Sequence, residues 1–207
     1  MNAQTAETRE ISLFPLNTVL FPDGVLPLKV FEQRYIEMTK ACLRDEVPFG
    51  VCLIREGGEV GAAALPAPIG CLANITEWDM PQLGLFQLVA RGGRRFRVHE
   101  TRIAANQLIS ASVELLPPDP PGGEVDPLCG DILKTIIEKV GSERFPAPIR
   151  LEDAAWVSYR LAEVLPIETA EKQALLELED APARFERLNR FLTAQGLVLR
   201  HGATGRS

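Results

Sequence analysis

Catalysis needs nucleophiles, bases, metal ligands or charge traps at workable spacing, and this 207-residue chain offers few of them. It has two histidines. His99 lies in a charged strand end, Arg97-Val-His-Glu100, and His201 in a polar tail, so each reads as a surface histidine. The four cysteines, Cys42, Cys52, Cys71 and Cys129, include no CxxC pair, and no H-E-x-x-H motif occurs. A zinc site, which draws three or four ligands from such spacings, is not expected. Ser158 sits mid-helix beside Tyr159, Ser110 and Ser112 sit on a strand, and no G-x-S-x-G elbow presents a serine to a base. Lys134-Thr135 lies inside an apolar helix stripe, without the glycine loop that cradles phosphate. Gly92-Gly93-Arg94-Arg95 resembles a phosphate loop but sits between two strand patterns, where it reads as a hairpin turn or bulge. The expectation is a protein with no catalytic residue, no cofactor and no metal.

Two groupings remain as candidate binding sites. Trp78, Met80, Leu83 and Leu85 fall on expected loops, where burial is not guaranteed, and exposed apolar side chains there would contact polypeptide. The competing reading places Trp78 and Leu85 in the core of a barrel. Arg91, Arg94, Arg95 and Arg97 form the basic cluster, with Phe86 and Phe96 near enough to stack on bases, which would suit RNA. Strand alternation sets Phe96 and Val98 on one face and Arg95 and Arg97 on the other, which also describes an ordinary solvated strand face.

Composition bounds these options. With 46% hydrophobic and 24% charged residues the chain is an ordinary globular sequence, and burying about 70% of its surface supports one large domain or two small ones. That is too little for an ATPase domain and a protease domain together. The net charge of −6 opposes binding driven by phosphate backbones or anionic membranes. The charge is uneven: residues 9–117 carry 11 basic and 12 acidic side chains, residues 118–199 carry 9 and 15. No apolar run reaches the 18 residues of a membrane span. Without a basic, then apolar, leader pattern the cysteines read as reduced and buried, and the expected location is the cytoplasm.

The elements that must position the candidates follow from hydrophobic period. Ile11 to Pro22 and Val25 to Val30 read as proline-punctuated extended segments about a Pro22-Asp-Gly24 turn, with Gly24 free to take positive φ. Phe31, Tyr35, Met38 and Cys42 recur at helical spacing, predicting a helix over 31–43. Strand patterns return at 49–54, 69–76, 85–90, 95–99 and 108–116, predicting a small, strongly curved sheet or barrel. Pro117-Pro-Asp-Pro-Pro-Gly-Gly123 reads as an extended, exposed connector. Beyond it lie four helices: one ending before Gly141, one over 155–165 stopped by Pro166, one from Thr169 to Leu178, and one capped by Asp180 with Pro182 in its first turn.

The segment Leu13-Phe-Pro-Leu-Asn-Thr-Val-Leu-Phe-Pro-Asp-Gly-Val-Leu-Pro-Leu-Lys-Val-Phe-Glu-Gln-Arg-Tyr-Ile-Glu-Met38 resembles the opening of the Lon protease N-terminal, substrate-binding domain, especially its stand-alone bacterial form. Phe49-Gly-Val-Cys-Leu-Ile54, Glu59-Val-Gly61, Ile69-Gly-Cys-Leu-Ala73, Arg94-Arg-Phe-Arg-Val98, Arg160-Leu-Ala-Glu-Val-Leu-Pro166 and Lys172-Gln-Ala-Leu-Leu-Glu177 continue the likeness to about Leu199. The Asp-Gly-Arg turn common in the family is here Met80-Pro-Gln-Leu-Gly84, and a Pro-Tyr pair expected near Gln107-Leu108 is missing. The resemblance implies an α+β fold: a small PUA-like, mostly antiparallel β-barrel of six strands with one helix, over 9–117, a linker at 118–123, and an α-helical bundle over 124–199. It also implies a non-catalytic protein-recognition module that binds unfolded polypeptide or docks on a protease or ATPase partner. The ATPase and Ser-Lys peptidase of full-length Lon have no counterpart motifs here. RNA binding through the arginine cluster is the alternative, and peptidase activity within an ATP-dependent system the remotest one.

Overall fold

The computed structural model describes residues 7–196; His201 and the polar tail from Arg200 lie outside the described residues. In chain order the elements are β1 (Thr8–Leu16), β2 (Val25–Val30), α1 (Gln33–Asp45), β3 (Phe49–Glu56), β4 (Leu65–Pro66), β5 (Ile69–Gln82), β6 (Leu85–Ile103) and β7 (Ile109–Leu115). The helices α2 (Pro127–Val140), α3 (Ala154–Val164), α4 (Thr169–Glu177) and α5 (Ala181–Ala194) follow, with a 3-10 turn at Ser142–Arg144. Asp126, Asp153 and Asp180 each stand before a helix and accept the N–H of the residue three positions on, which satisfies a donor that the helix cannot.

The structure corrects the expected small, mostly antiparallel β-barrel. The strands form a seven-stranded mixed sheet in the order β1-β7-β6-β5-β3-β4, with β2 attached to β6. β1 and β3 run parallel, Leu13 facing Gly50 and Leu16 facing Leu53. β6 therefore has three partners, β2, β5 and β7, whereas β2 and β4 have one each. Hydrophobic period reports which face a strand buries but not which neighbours it takes, so the branching was not readable from it.

Two strand patterns also merge. Residues 85–103 are one strand, and Gly92-Gly93 lies at a bulge within it: Cys71 and Ala73 face Arg95 and Gly92, giving β6 one extra residue. Gly92 is required there because a Cβ would stand 2.0 Å from the Phe21 carbonyl oxygen. Its N–H donates to Gly24 O at 2.8 Å and its carbonyl accepts from Asp23 N–H at 2.9 Å, so the β1–β2 turn lies directly on the β6 backbone. In that turn Asp23, not Gly24, takes the positive φ of 62°.

The chain divides into two compact units, one of residues up to Pro118 with Pro166–Glu177, the other of Asp119–Leu165 with the residues from Leu178 on. In the first, α1 packs Tyr35, Ile36, Met38 and Cys42 onto Phe14, Phe49, Val51, Phe86 and Leu88. A second cluster joins Ile11, Leu13, Leu72, Phe96, Ile109, Val113 and Leu115. Each fully buried side chain of this size contributes about 1.5–3 kcal/mol. α4 belongs to this unit: the Gln173 amide donates to Ile69 O at 3.0 Å, and Arg95, buried, donates to Leu176 O at 2.9 Å.

In the second unit α2, α3 and α5 bury Cys129, Leu133, Trp156, Val157, Leu161, Phe185, Leu188 and Leu192. The fully buried Arg184 donates to Asp119, to Ser158 Oγ at 2.9 Å and to Leu178 O at 3.2 Å. Its guanidinium lies 4.0 Å from the Tyr159 ring centroid, and Tyr159 Oη donates to Asp119 at 2.9 Å. Asp119, in the Pro/Gly-rich stretch, is thus turned inward and held, while its neighbours on both sides are exposed.

Candidate functional site

Beyond Ala73, β5 leaves β3, whose pairing with it ends there, and continues with β6 alone. With β2 on the far side of β6, this makes a three-stranded ribbon whose register fixes its two faces. Trp78 faces Leu88, and Leu88 faces Leu28; in the next row Phe86 faces Val30. At its base this apolar face is core, with Val30, Phe86, Leu88 and Ala90 buried. Toward its end the core runs out: Trp78 is 56% exposed, though its ring centroid is 5.9 Å from that of Phe86, and Met80 is 41% exposed. Leu83, at the tip, is 94% exposed beside Gly84, whose φ of +83° allows the turn. Leu85 is half-buried as the first residue of β6.

The structure places Trp78, Met80, Leu83 and Leu85 on one hairpin rather than on loops, but strand alternation sets Leu85 on the face of Gln87 and Val89, opposite that of Trp78. Sequence reasoning ended the strand at Thr76. The alternation Glu77-Trp78-Asp79-Met80, apolar against acidic, was the signal that the strand continued. It also conceals a second face, in which Pro27, Val89 and Glu77 form one row and Lys29, Gln87 and Asp79 the next. These residues line a shallow groove of about 570 Å³.

The four arginines are not gathered into a free basic surface. Arg91 meets Asp23 at 3.0 Å. Arg94 meets Glu7 at 2.9 Å and donates to the carbonyls of Leu115 and Leu116. Hydrogen bonds from Arg9 first, and from Arg94, hold the Glu7 carboxyl below its usual range. Arg95 is buried, and Arg97 reaches Glu114 at 4.0 Å, a carboxylate that His99 also meets at 3.2 Å.

A further polar cluster, Glu32, Arg34 and Tyr35, serves the fold. Phe14 and Tyr35 stack with centroids 4.0 Å apart, and the Arg34 guanidinium lies 4.6 Å from the Tyr35 ring centroid. Arg34 pairs with Glu32 at 3.0 Å and donates to Gln107 O at 3.0 Å and Glu59 O at 3.5 Å. Glu59 in turn accepts the Asn17 N–H at 2.7 Å on its carboxylate, so the buried cation ties α1 to the segments at Gln107 and Glu59 directly, and to that at Asn17 only through Glu59. Among the described residues no group of three or more His, Cys, Asp or Glu side chains is placed to hold a metal ion, and no helix is long and apolar enough to cross a membrane.

The first unit is thus a mixed sheet with an apolar, half-exposed hairpin, and the second a set of packed helices. The chain belongs to the family described as the ATP-dependent protease La (LON) substrate-binding domain, which matches residues 10–194, and it corresponds to the non-catalytic N-terminal region of Lon. It is 34% identical to a Lon N-terminal domain protein from Xanthomonas campestris, with a TM-score of 0.74 over 88% of this chain and 98% of that one. The N-terminal domain of a Mycobacterium avium complex Lon protease, 18% identical, shares the fold with a TM-score of 0.66, over 92% of this chain and all of that one. Among curated relatives, Lon protease 2 of Myxococcus xanthus is 31% identical over 92% of this chain, and Lon protease of Koribacter versatilis 27% over 92%. The chain spans about a quarter of the length of these relatives.

Proposed function

We propose that this domain recognises exposed apolar segments of unfolded polypeptide through Trp78, Met80, Leu83 and Leu85. The observation that carries the reading is the continuity of one apolar face, from the buried Phe86 and Leu88 outward to Trp78 and the Leu83 tip. A large aromatic anchored at its base and open at its edge can be covered by a partner at little cost in order, since its ring is already positioned by Phe86. Membership of a substrate-binding family supports the same reading. RNA binding draws no support from the arginines, each of which already meets an acidic side chain or a carbonyl.

Isothermal calorimetry with a reduced, carboxymethylated protein tests the proposal. Binding is expected, and Trp78→Ala and Leu83→Asp are each expected to weaken it by about tenfold or more, the scale of losing one anchor. Equal affinity for the unfolded and the native form of the same protein would overturn it.

A further inference from the structure

Among the unpaired strand edges of the described residues, those of β4, β2 and β5 are not equivalent. β4 is two residues long, and β2 has Pro27 at its centre, where a donor is missing. The outer edge of β5 over residues 74–80 is free of proline and has no strand beside it, because β3 stops at Ala73; Pro81 then ends it. A bulge between Ile75 and Glu77 interrupts this edge, so its regular run is residues 77–80, about 13 Å, which seats the central residues of an added strand.

We infer that this β5 edge takes an extended segment of the client as an added strand, and that the segment it prefers alternates apolar and basic residues. The inference rests on the proposed function and specifies how the client is held. In an added strand alternate side chains fall on opposite faces. One set would lie beside Trp78 and Met80, both open to solvent. The other would lie beside Glu77 and Asp79, which are exposed and which line the second face's groove with Val89, Pro27 and Lys29; two carboxylates against one ammonium, that of Lys29 two strands away on β2, leave this edge suited to the aliphatic stem and cationic head of lysine or arginine. Asp79 Oδ1 accepts the Met80 N–H at 2.8 Å, so the empty edge has one donor covered by a carboxylate. A cation arriving at Asp79 draws that carboxylate away and frees the donor for the client, whereas an acidic segment is repelled.

The test uses the full chain and an eight-residue peptide of alternating leucine and lysine, in three forms: unmethylated, N-methylated at the leucines, and N-methylated at the lysines. Edge addition requires that one methylated form bind about tenfold or more weakly while the other binds like the parent, since only one set of amides faces β5. A leucine–glutamate peptide is expected to bind at least about tenfold more weakly, and Glu77→Lys with Asp79→Lys to reverse that preference. If both methylated forms bind like the parent, the edge is not used and the inference falls while apolar recognition stands. If neither the peptides nor the carboxymethylated protein bind, the proposed function itself falls.

Discussion

At the scale of single residues, the side chains that matter differ in what holds them. Leu83 is held by nothing beyond its turn, so Leu83→Asp is expected to leave the melting temperature within about 1 °C while lowering client affinity, because exposed positions carry little folding energy. Buried thiols give the opposite case. Burial pushes the Cys42 thiol up to about 11 and the Cys52 thiol up to about 12, from 9.0. Tyr35, buried in the α1 packing, is raised by the same cause. Above the ordinary thiol range the unfolded chain ionises while the folded one keeps its protons. The stability tied to these groups is therefore complete below that range and lost as pH rises through their folded values. Urea midpoints measured between pH 8 and 11 should fall with pH, and Cys42→Ala with Cys52→Ala should flatten the fall. The sequence did mark these cysteines as buried. Arg95, by contrast, carries the same sequence signal as Arg94 and Arg97, a cation on a strand, and only the helix lying over it makes it a core residue.

At the scale of elements, what was legible tracks how local the cause is. The Asp180 cap and the α1 stripe, both read from the sequence, are set by residues within one or two turns; Asp126 and Asp153 cap α2 and α3 in the same local way, though the sequence reading singled out Asp180 alone. The path of β6 was not legible, since Gly92 reads as a turn until Phe21 is known to lie on it. α4 shows the same limit: its attachment to the sheet runs through Gln173 and Leu176 O, polar contacts that leave no apolar period. A chain ending at Pro118 loses α4 and leaves buried Arg95 without that carbonyl. It should unfold at a markedly lower denaturant concentration than the full chain, by an amount equivalent to about 2–4 kcal/mol. Arg34→Leu should cost about as much by freeing the Glu59 and Gln107 segments from α1, measured by the same denaturation, with Arg34→Lys recovering only part because lysine cannot fork to two carbonyls.

At the scale of the whole molecule, the residues before and after 118 differ in charge, the first stretch near neutral and the second acidic. The sheet region carries the apolar hairpin; the residues after 118 hold most of the net charge and a buried Arg184–Asp119 pair that fixes the chain where the Pro/Gly stretch begins. The expected barrel gave way to a branched sheet, and the proposed surface lies on the far half of β5, beyond its pairing with β3, and on the turn into β6. The chain has two tryptophans, of which Trp156 is buried and Trp78 exposed, so acrylamide quenching reports on Trp78 almost alone. The most direct measurement is that quenching with and without a saturating carboxymethylated polypeptide. Covering of the hairpin should protect Trp78 and shift its emission to shorter wavelength. A client that binds, as calorimetry records, while Trp78 stays fully quenchable would contradict the assignment of this surface.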